Sequence, residues 1–245
     1  MQISVIASGS SGNCCLIEDK GTSVIVDAGK SGKEIQRRMD ALGKSMEDVS
    51  AILITHRHSD HTRGAGILSR RFNIPVYSTE KTAKLCMLGA FDQKIFDASK
   101  EFRIGSMSIR PIKTSHNVSS CGFAFNNKFA LMTDTGRVTK QMEDTIKKIK
   151  GVLLESNHDI DMLIKGPYPY FLKQWILSEK GHLSNIDASN LIQKSAKKLE
   201  LAILGHLSGN NNTPDIALKT FNVLVKRKIN VSVADRDKET GSFEI

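Results

Sequence analysis

The amino-acid sequence predicts an α/β fold in which two mixed β-sheets form a four-layer αβ/βα sandwich. Two sets of short strands occur along the chain, and each set is accompanied by helices, an order that layers helices against mixed sheets. The 245 residues are 40% hydrophobic and 25% charged, and no low-complexity segment or linker interrupts them. We therefore expect one domain covering residues 1–245.

The first half of the chain predicts a β-meander followed by alternating helices and strands. Apolar and β-branched residues form the strands, and a Lys20-Gly21 turn separates two of them. Ile35, Met39 and Leu42 have the spacing of a helix face. The predicted elements are a strand at 3–7, a Ser/Gly loop at 8–13, strands at 14–18 and 22–27, a helix at 31–42, a strand at 51–55, a helix at 62–72 and a strand at 74–76.

The second half begins to repeat this order. A Pro/Tyr-rich loop at 166–170 precedes the last helices. The predicted strands are 106–113, 121–126, 128–133, 152–155, 201–204 and 231–233, and the predicted helices are 139–150, 171–178, 186–198 and 214–226.

Composition excludes several classes of protein. No apolar run approaches the ~20 residues that a membrane span requires, so we expect no membrane partner. The amino terminus enters strand-like sequence without the features of a secretory signal, which favours a cytoplasmic protein. Four cysteines without a C-x-x-C pair fit reduced thiols in that compartment. The formal net charge of +9 favours a polyanionic partner, although Lys-rich helix faces also serve solubility.

A dense group of metal-binding side chains follows the predicted strand at 51–55. His56, His58, Asp60 and His61 occur within six residues, in the sequence His56-Arg57-His58-Ser59-Asp60-His61. Imidazole and carboxylate groups at this density, at the end of a strand, are typical of a site that holds two metal ions.

This H-x-H-x-D-H motif resembles the signature of the metallo-β-lactamase superfamily, and the resemblance covers essentially the whole chain. It implies that Asp27 orients the metal loop, although Asp before Ala-Gly is also ordinary turn chemistry. It implies two divalent ions, Zn²⁺ or Mn²⁺. The implied ligands are His56, His58, His116 and Asp134 for one ion, and Asp60, His61, Asp134 and His206 for the other.

The resemblance also implies a hydrolase that uses a metal-activated water. Glu155 and His182 occur in the order of the glutamate and histidine elements of ribonuclease Z-like phosphodiesterases. There, a histidine paired with an acidic residue protonates the leaving oxygen. The predicted catalytic residues are therefore Asp60, His182 and Glu155. The alternative for His182 is an imidazole near the start of a helix that Asn185 caps.

Five further short motifs occur along the chain: Ala7-Ser8-Gly9-Ser10-Ser11-Gly12-Asn13, Glu155-Ser156-Asn157-His158-Asp159, Gly166-Pro167-Tyr168-Pro169, Gly181-His182-Leu183-Ser184-Asn185, and His206-Leu207-Ser208 with Asn210-Asn211-Asn212. Together they resemble the YycJ/WalJ-like branch of the superfamily. This branch implies a compact 5′-to-3′ exonuclease that acts on DNA in DNA repair. Only 72 positions separate Asp134 from His206, which leaves no room for the β-CASP insertion of larger nucleases. Polar loops near the predicted site suit phosphate oxygens, and the predicted substrate-binding residues are Ser10, Asn13, His158, Ser184, Ser208 and Asn211.

Three other functions use the same residues differently. A small-molecule thioester or lactone hydrolase needs the metal ligands without the pair of Glu155 and His182. A diiron oxidoreductase is weaker, because such relatives usually carry a carboxylate where this chain has His58. A non-catalytic nucleic-acid-binding protein has no physical need for seven metal-binding groups.

Overall fold

The computed structural model describes residues 1–86 and 88–245, and these form two compact units. The first unit contains Met1–Pro111 and Asp235–Glu244, and the second contains Ile112–Ala234 with Ile245. The expectation of one domain over residues 1–245 stays a prediction.

The first unit is built on a mixed sheet. Its strands are β1 (Gln2–Ala7), β2 (Cys14–Asp19), β3 (Thr22–Val26), β4 (Ala51–Leu53), β5 (Val76–Thr79), β6 (Gln93–Phe96) and β14 (Gly241–Glu244). The sheet order is β14-β1-β2-β3-β4-β5-β6, antiparallel from β14 to β3 and parallel from β3 to β6. All five residues of β3 are buried, as expected for an apolar, β-branched strand inside a sheet.

Helices cover this sheet with apolar faces. Helix α1 (Gly32–Ala41) begins at Ser31, whose hydroxyl accepts a hydrogen bond from the N–H of Glu34. It buries Ile35 and Met39, one turn apart, in the core of the unit. The remaining helices are α2 (Ser59–Thr62), α3 (Ala65–Phe72) and α4 (Glu80–Leu85), with one turn of 3-10 helix at Met46–Asp48.

The second sheet is also mixed. Its strands are β7 (Phe102–Ile104), β8 (Met107–Lys113), β9 (Cys121–Phe125), β10 (Phe129–Met132), β11 (Gly151–Glu155), β12 (Leu201–Gly205) and β13 (Asn230–Val233). The order is β13-β12-β11-β10-β9-β8-β7, and β10 to β13 run parallel. The helices of the second unit are α5 (Lys140–Ile146), α6 (Ile160–Lys165), α7 (Tyr170–Leu177), α8 (Asn185–Ser195) and α9 (Pro214–Leu224).

The predicted class, an α/β structure with two mixed β-sheets, is confirmed. The helix predicted at 62–72 is present but begins at Ala65, because the chain turns between α2 and α3. At this turn the N–H of Gly64 donates to the carbonyl of Ala28. The cap of α8 is Ser184 rather than Asn185, which is the first helical residue. The short elements α4, α6, β6, β7 and β14 were not predicted.

Parallel strands position several of the predicted site residues. Asp27 follows β3 and His56 lies just beyond β4, both in the first sheet. In the second sheet Asp134 lies just beyond β10, Glu155 ends β11 and His206 follows β12. The carboxyl ends of parallel strands meet at one edge of a sheet, where α/β proteins usually bind their ligands.

Two sequence expectations concern the chain as a whole. Cys14, Cys15, Cys86 and Cys121 are free thiols. Within the described residues, no helix combines the length and the apolar character needed to cross a membrane.

Candidate metal centre

The loop after β4 carries four of the predicted metal ligands. His56 and His61 are fully buried, whereas His58 and Asp60 are partly exposed. Nε2 of His56 lies 2.9 Å from Nδ1 of His58, and Oδ2 of Asp60 lies 3.4 Å from Nε2 of His61. The loop therefore presents two pairs of closely spaced ligand atoms.

Asp27 and Thr55 hold the rings of His56 and His61. Oδ2 of Asp27 lies 2.7 Å from Nδ1 of His61, and the hydroxyl of Thr55 lies 3.0 Å from Nδ1 of His56. The N–H and hydroxyl of Thr55 both donate to the Asp27 carboxylate. When each Nδ1 directs its proton to these oxygens, each Nε2 remains to bind a metal. Thr55 was not predicted from the sequence, although it directly precedes the first histidine of the motif.

Three predicted site residues have a left-handed backbone. Their φ angles are 60° for Asp27, 57° for Asp134 and 56° for His206. Such angles are uncommon outside glycine and cost on the order of 1–3 kcal/mol each, so the surrounding structure must maintain them. Burial raises the pKa of Asp27, and the charge and hydrogen bonds of His61 and Thr55 oppose that rise.

The Ser/Gly loop of the first unit lies against the metal loop. The N–H of Asn13 donates to the carbonyl of Asp60 at 2.8 Å, and Nδ2 of Asn13 lies 3.1 Å from Nε2 of His61. A Cβ atom at Gly29 would lie 1.6 Å from the carbonyl oxygen of Asp60, so the close approach requires glycine. Of the two substrate-binding residues predicted in the loop, Asn13 is buried and Ser10 is exposed.

The second unit contains three further predicted ligands. His116, Asp134 and His206 are each at most 4% exposed. Oδ1 of Asp134 lies 3.9 Å from Nε2 of His116 and 3.6 Å from Nε2 of His206. Two ligands at about 2.0–2.2 Å from one tetrahedral ion lie about 3.3–3.6 Å apart. The spacing in this unit is therefore close to that of ligands on a shared ion.

Glu155 holds two histidines with one oxygen atom. Its Oε1 lies 2.6 Å from Nδ1 of His182 and 2.8 Å from Nδ1 of His206, and its Oε2 accepts the N–H of Thr135 at 2.8 Å. Burial alone would raise the pKa of Glu155. The charge and hydrogen bond of His182, and then those of His206, outweigh burial and lower the pKa below its usual range. Glu155 is therefore an ionised carboxylate that orients both rings.

Trp175 in α7 was also missed by the sequence analysis. Its ring contacts the ring of His182 edge-on, with centroids 5.4 Å apart, and lies 6.4 Å from the ring of His116. It is the only tryptophan in the chain, and that rarity was the only available signal. The indole packs beside the ring that was predicted to supply the proton.

Two predicted substrate-binding residues lie close to α8 and are buried. His158 is 1% exposed, and neither ring nitrogen has a hydrogen-bond partner among the described residues. Burial lowers the pKa of His158 to about 4, against the opposing charge of Glu155. The hydroxyl of Ser184 accepts the N–H of Asp187 at the start of α8 and donates to the Asp187 carboxylate.

The last two predicted substrate-binding residues, Ser208 and Asn211, bind each other. The hydroxyl oxygen of Ser208 accepts hydrogen bonds from the backbone N–H and the side-chain Nδ2 of Asn211. Asn211 is fully buried, and Ser208 is slightly exposed. Asn211 therefore stabilises the loop that presents Ser208.

Both units offer donor sets that fit divalent metal ions. The first provides three imidazoles and a carboxylate, and the second provides two imidazoles and a carboxylate. Nitrogen and oxygen donors of this kind suit Zn²⁺ and Mn²⁺. In each unit a buried carboxylate also holds Nδ1 of a predicted ligand histidine, the arrangement usual around metal-binding histidines.

The chain belongs to the metallo-β-lactamase superfamily, whose family model matches residues 7–206. It is 38% identical over 243 residues to exodeoxyribonuclease WalJ of Streptococcus pneumoniae serotype 2, covering 94% of this chain and 90% of that protein. It is also 38% identical over 241 residues to exodeoxyribonuclease YycJ of Bacillus anthracis, covering 93% and 90%. The family predicted from the sequence, and a hydrolase within it, are confirmed.

Solved structures agree on the fold. The metallo-beta-lactamase fold protein YhfI from Bacillus subtilis matches with a TM-score of 0.77 over 99% of both chains at 17% identity. At this identity the likeness concerns the fold. The roles of individual ligands and catalytic residues stay predictions.

Proposed function

We propose that the chain is a metal-dependent phosphodiesterase that removes nucleotides from the 5′ end of DNA. The observation that carries the proposal is the 2.6 Å contact between Glu155 and His182, in the unit that also holds Asp134 and His206. Two relatives that match more than nine-tenths of the chain are named exodeoxyribonucleases, which supports DNA as the substrate.

The metal ligands are those that the family resemblance implies. When bound, two divalent ions lower the pKa of a coordinated water and neutralise charge that develops on the phosphoryl oxygens. One ion would be held by His56, His58, His116 and Asp134, and the other by Asp60, His61, Asp134 and His206. Zn²⁺ and Mn²⁺ both fit these donors.

His182 supplies the proton to the leaving oxygen in this proposal. Its Nδ1 is engaged by Glu155, so Nε2 is the atom that transfers a proton, and the ring is 13% exposed. The ionised Glu155 stabilises the protonated ring and fixes its orientation. Trp175 restricts the ring from one side through its edge-on contact.

The leaving group explains why a proton donor favours a phosphodiester over a thioester. A thiolate departs readily, because a thiol has a pKa of about 8.5. An alkoxide is comparable in basicity to hydroxide, whose conjugate acid, water, has a pKa of about 15.7. A lactone also expels an alkoxide, so the choice of DNA over a lactone rests on the relatives and on the net charge of +9.

The predicted substrate-binding residues divide by exposure. Ser10 is exposed and Ser208 is 9% exposed, the most of the remaining predicted residues, so we propose that these two contact phosphate oxygens. Asn13, Ser184 and Asn211 are buried in contacts that hold the loops, so we propose that they position the substrate indirectly. Burial favours the same indirect role for His158.

The four free thiols fit a cytoplasmic location.

The test compares two leaving groups. Wild type and His182→Asn, at matched metal content, are assayed on end-labelled DNA with a 5′ phosphate and on a nitrophenyl phosphodiester of thymidine. On DNA we expect stepwise 5′ digestion by wild type and a loss of about 10²–10⁴ in turnover for the variant. On the nitrophenyl ester the loss should be much smaller, because nitrophenolate departs without a proton.

Each alternative outcome has a definite meaning. If His182→Asn loses the same turnover on both substrates, His182 is not the proton donor. If metal-loaded wild type leaves DNA intact but hydrolyses a thioester or a lactone, the substrate proposed here is wrong.

A further inference from the structure

A basic pocket of about 500 Å³ lies in the second unit. None of its lining residues is acidic, and several carry hydroxyl groups, including Thr114 and Ser115. The cations that line it are Lys113, Arg137, Lys140 and Lys180. This concentration of positive charge is suited to phosphate oxygens.

The pocket is continuous with loops of the candidate site. Each of three loops carries one predicted site residue and, within three positions, a cation that lines the pocket. The pairs are Lys113 with His116, Arg137 with Asp134, and Lys180 with His182. The pocket therefore lies next to the groups proposed to hold metal and to transfer the proton.

Hydrogen bonds tie the three loops together. The N–H of Gly136 donates to the carbonyl of Ser115 at 2.8 Å, and the hydroxyl of Ser115 donates to the carbonyl of Glu179 at 2.8 Å. A Cβ atom at Gly136 would lie 2.3 Å from the carbonyl oxygen of Ser178, so these loops approach as closely as glycine allows. These contacts therefore hold the loops that carry the cations in fixed positions.

Two of the four cations have local acidic partners. Arg137 pairs with Glu179 at 3.2 Å, and Lys140 lies within 4 Å of two acids one turn further along α5. All these groups are exposed, so the pairs are weak and screened by salt. Among the described residues, no ion pair engages Lys113 or Lys180. Their charges are available to a ligand.

We propose that this pocket binds backbone phosphates of the DNA strand whose scissile phosphodiester lies at the metal centre. The inference rests on the proposed nuclease function and adds to it the surface that holds the strand. Cations distributed over three loops suit a linear polyanion better than a single small anion. Lysine contacts of this kind attract phosphates independently of base sequence.

The test measures the salt dependence of binding. Metal-loaded wild type and Lys113→Ala/Lys180→Ala are titrated with a fluorescent single strand carrying a 5′ phosphate and phosphorothioate linkages, which slow its cleavage. Loss of two phosphate contacts should make the slope of log affinity against log salt shallower by about 1.4, from about 0.7 per contact on a single strand. The ratio of the wild-type affinity to the variant affinity should therefore decrease about sevenfold between 50 and 200 mM salt.

The matched control is Lys197→Ala/Lys198→Ala. Both lysines are exposed and lie beyond the end of α8, so this variant loses the same net charge at a different place. We expect it to behave nearly as wild type. If the two double variants show equal changes in affinity and in slope, the proposal that this pocket binds the DNA backbone is wrong. A further outcome is that the wild-type protein fails to cut DNA while the slope changes only in the pocket variant. That result would support phosphate binding in the pocket and refute the nuclease proposal.

Discussion

Replacing Glu155 with glutamine should weaken metal binding and turnover together. The carboxylate accepts hydrogen bonds on both oxygens: Oε1 from His182 and His206, and Oε2 from the backbone N–H of Thr135. Glutamine has the same size but only one accepting oxygen. In either orientation of the amide, its NH₂ group faces a donor, so one side of the network is broken.

The two losses can be estimated separately. The bond to His206 orients a predicted metal ligand, and loss of such a partner typically weakens metal binding by 10–100-fold. The bond to His182 orients the proposed proton donor, and general acid catalysis is typically worth about 10²–10⁴ in rate. Glu155→Gln should show both effects, whereas His182→Ala should lose turnover and keep its metal affinity.

The assay titrates each metal-free protein with Zn²⁺ and Mn²⁺ against a chromophoric chelator and then measures turnover on DNA at saturating metal. Circular dichroism and thermal melts check that the variants are folded. Metal affinity in Glu155→Gln equal to that of wild type would refute the orienting role toward His206. If Glu155→Gln keeps the full turnover of wild type at saturating metal, Glu155 does not orient His182 for proton transfer.

Three further predictions follow from other contacts of the site. Asp27→Asn should weaken metal binding by about 10–100-fold and regain near-wild-type turnover in excess metal, because His182 is untouched; low turnover in an activity titration would contradict this. The pKa of His158 is about 4 in the folded protein and ~6.5 in the unfolded chain, so the unfolded chain binds more protons between these values and stability falls as the pH is lowered. In EDTA, urea unfolding should show about 3 kcal/mol of that loss between pH 7.5 and 4, and His158→Asn should lack it; identical pH profiles would exclude His158 as the cause. Trp175→Ala should lower turnover about three- to tenfold, the worth of one aromatic contact, and Trp175→Phe should retain most of the rate of DNA digestion.

The sequence was most informative where chemistry is concentrated in a short segment. His56, His58, Asp60 and His61 were identified together because four metal-binding groups rarely fall within six residues outside a metal site. Thr55 and Trp175 were missed because threonine and tryptophan are ordinary constituents of strands and helices. Their importance depends on which rings they contact, and only the folded chain provides that information.

The shared oxygen of Glu155 illustrates a relation that the sequence could not predict. His206 lies 51 positions after Glu155, and the two meet because β11 and β12 pair in parallel with Glu155 opposite Gly205. A shift of one residue in this register would send the side chains to the opposite face. The pairing of Glu155 with His182 was predicted from the family, whereas the second bond follows from strand register alone.

Short elements at the sheet edges were missed for a related reason. Strand β14 pairs with β1 across more than 230 positions, and its four residues alternate between partly buried and exposed. Three or four residues are too few to establish a period of two against background. Such strands form because a neighbouring strand provides a partner, which is a property of the sheet rather than of the segment.

The two units contribute different parts of the proposed function. The first provides a metal loop with its supports, Asp27 and Thr55, and the exposed Ser10. The second provides further ligands together with the groups that distinguish one substrate from another: the Glu155–His182 pair and the basic pocket. A metal-activated water can attack many esters. Selection for the leaving group and the charge of the substrate must therefore come from the Glu155–His182 pair and the basic pocket. Substitutions that change the substrate without changing metal affinity are therefore expected among residues 112–234.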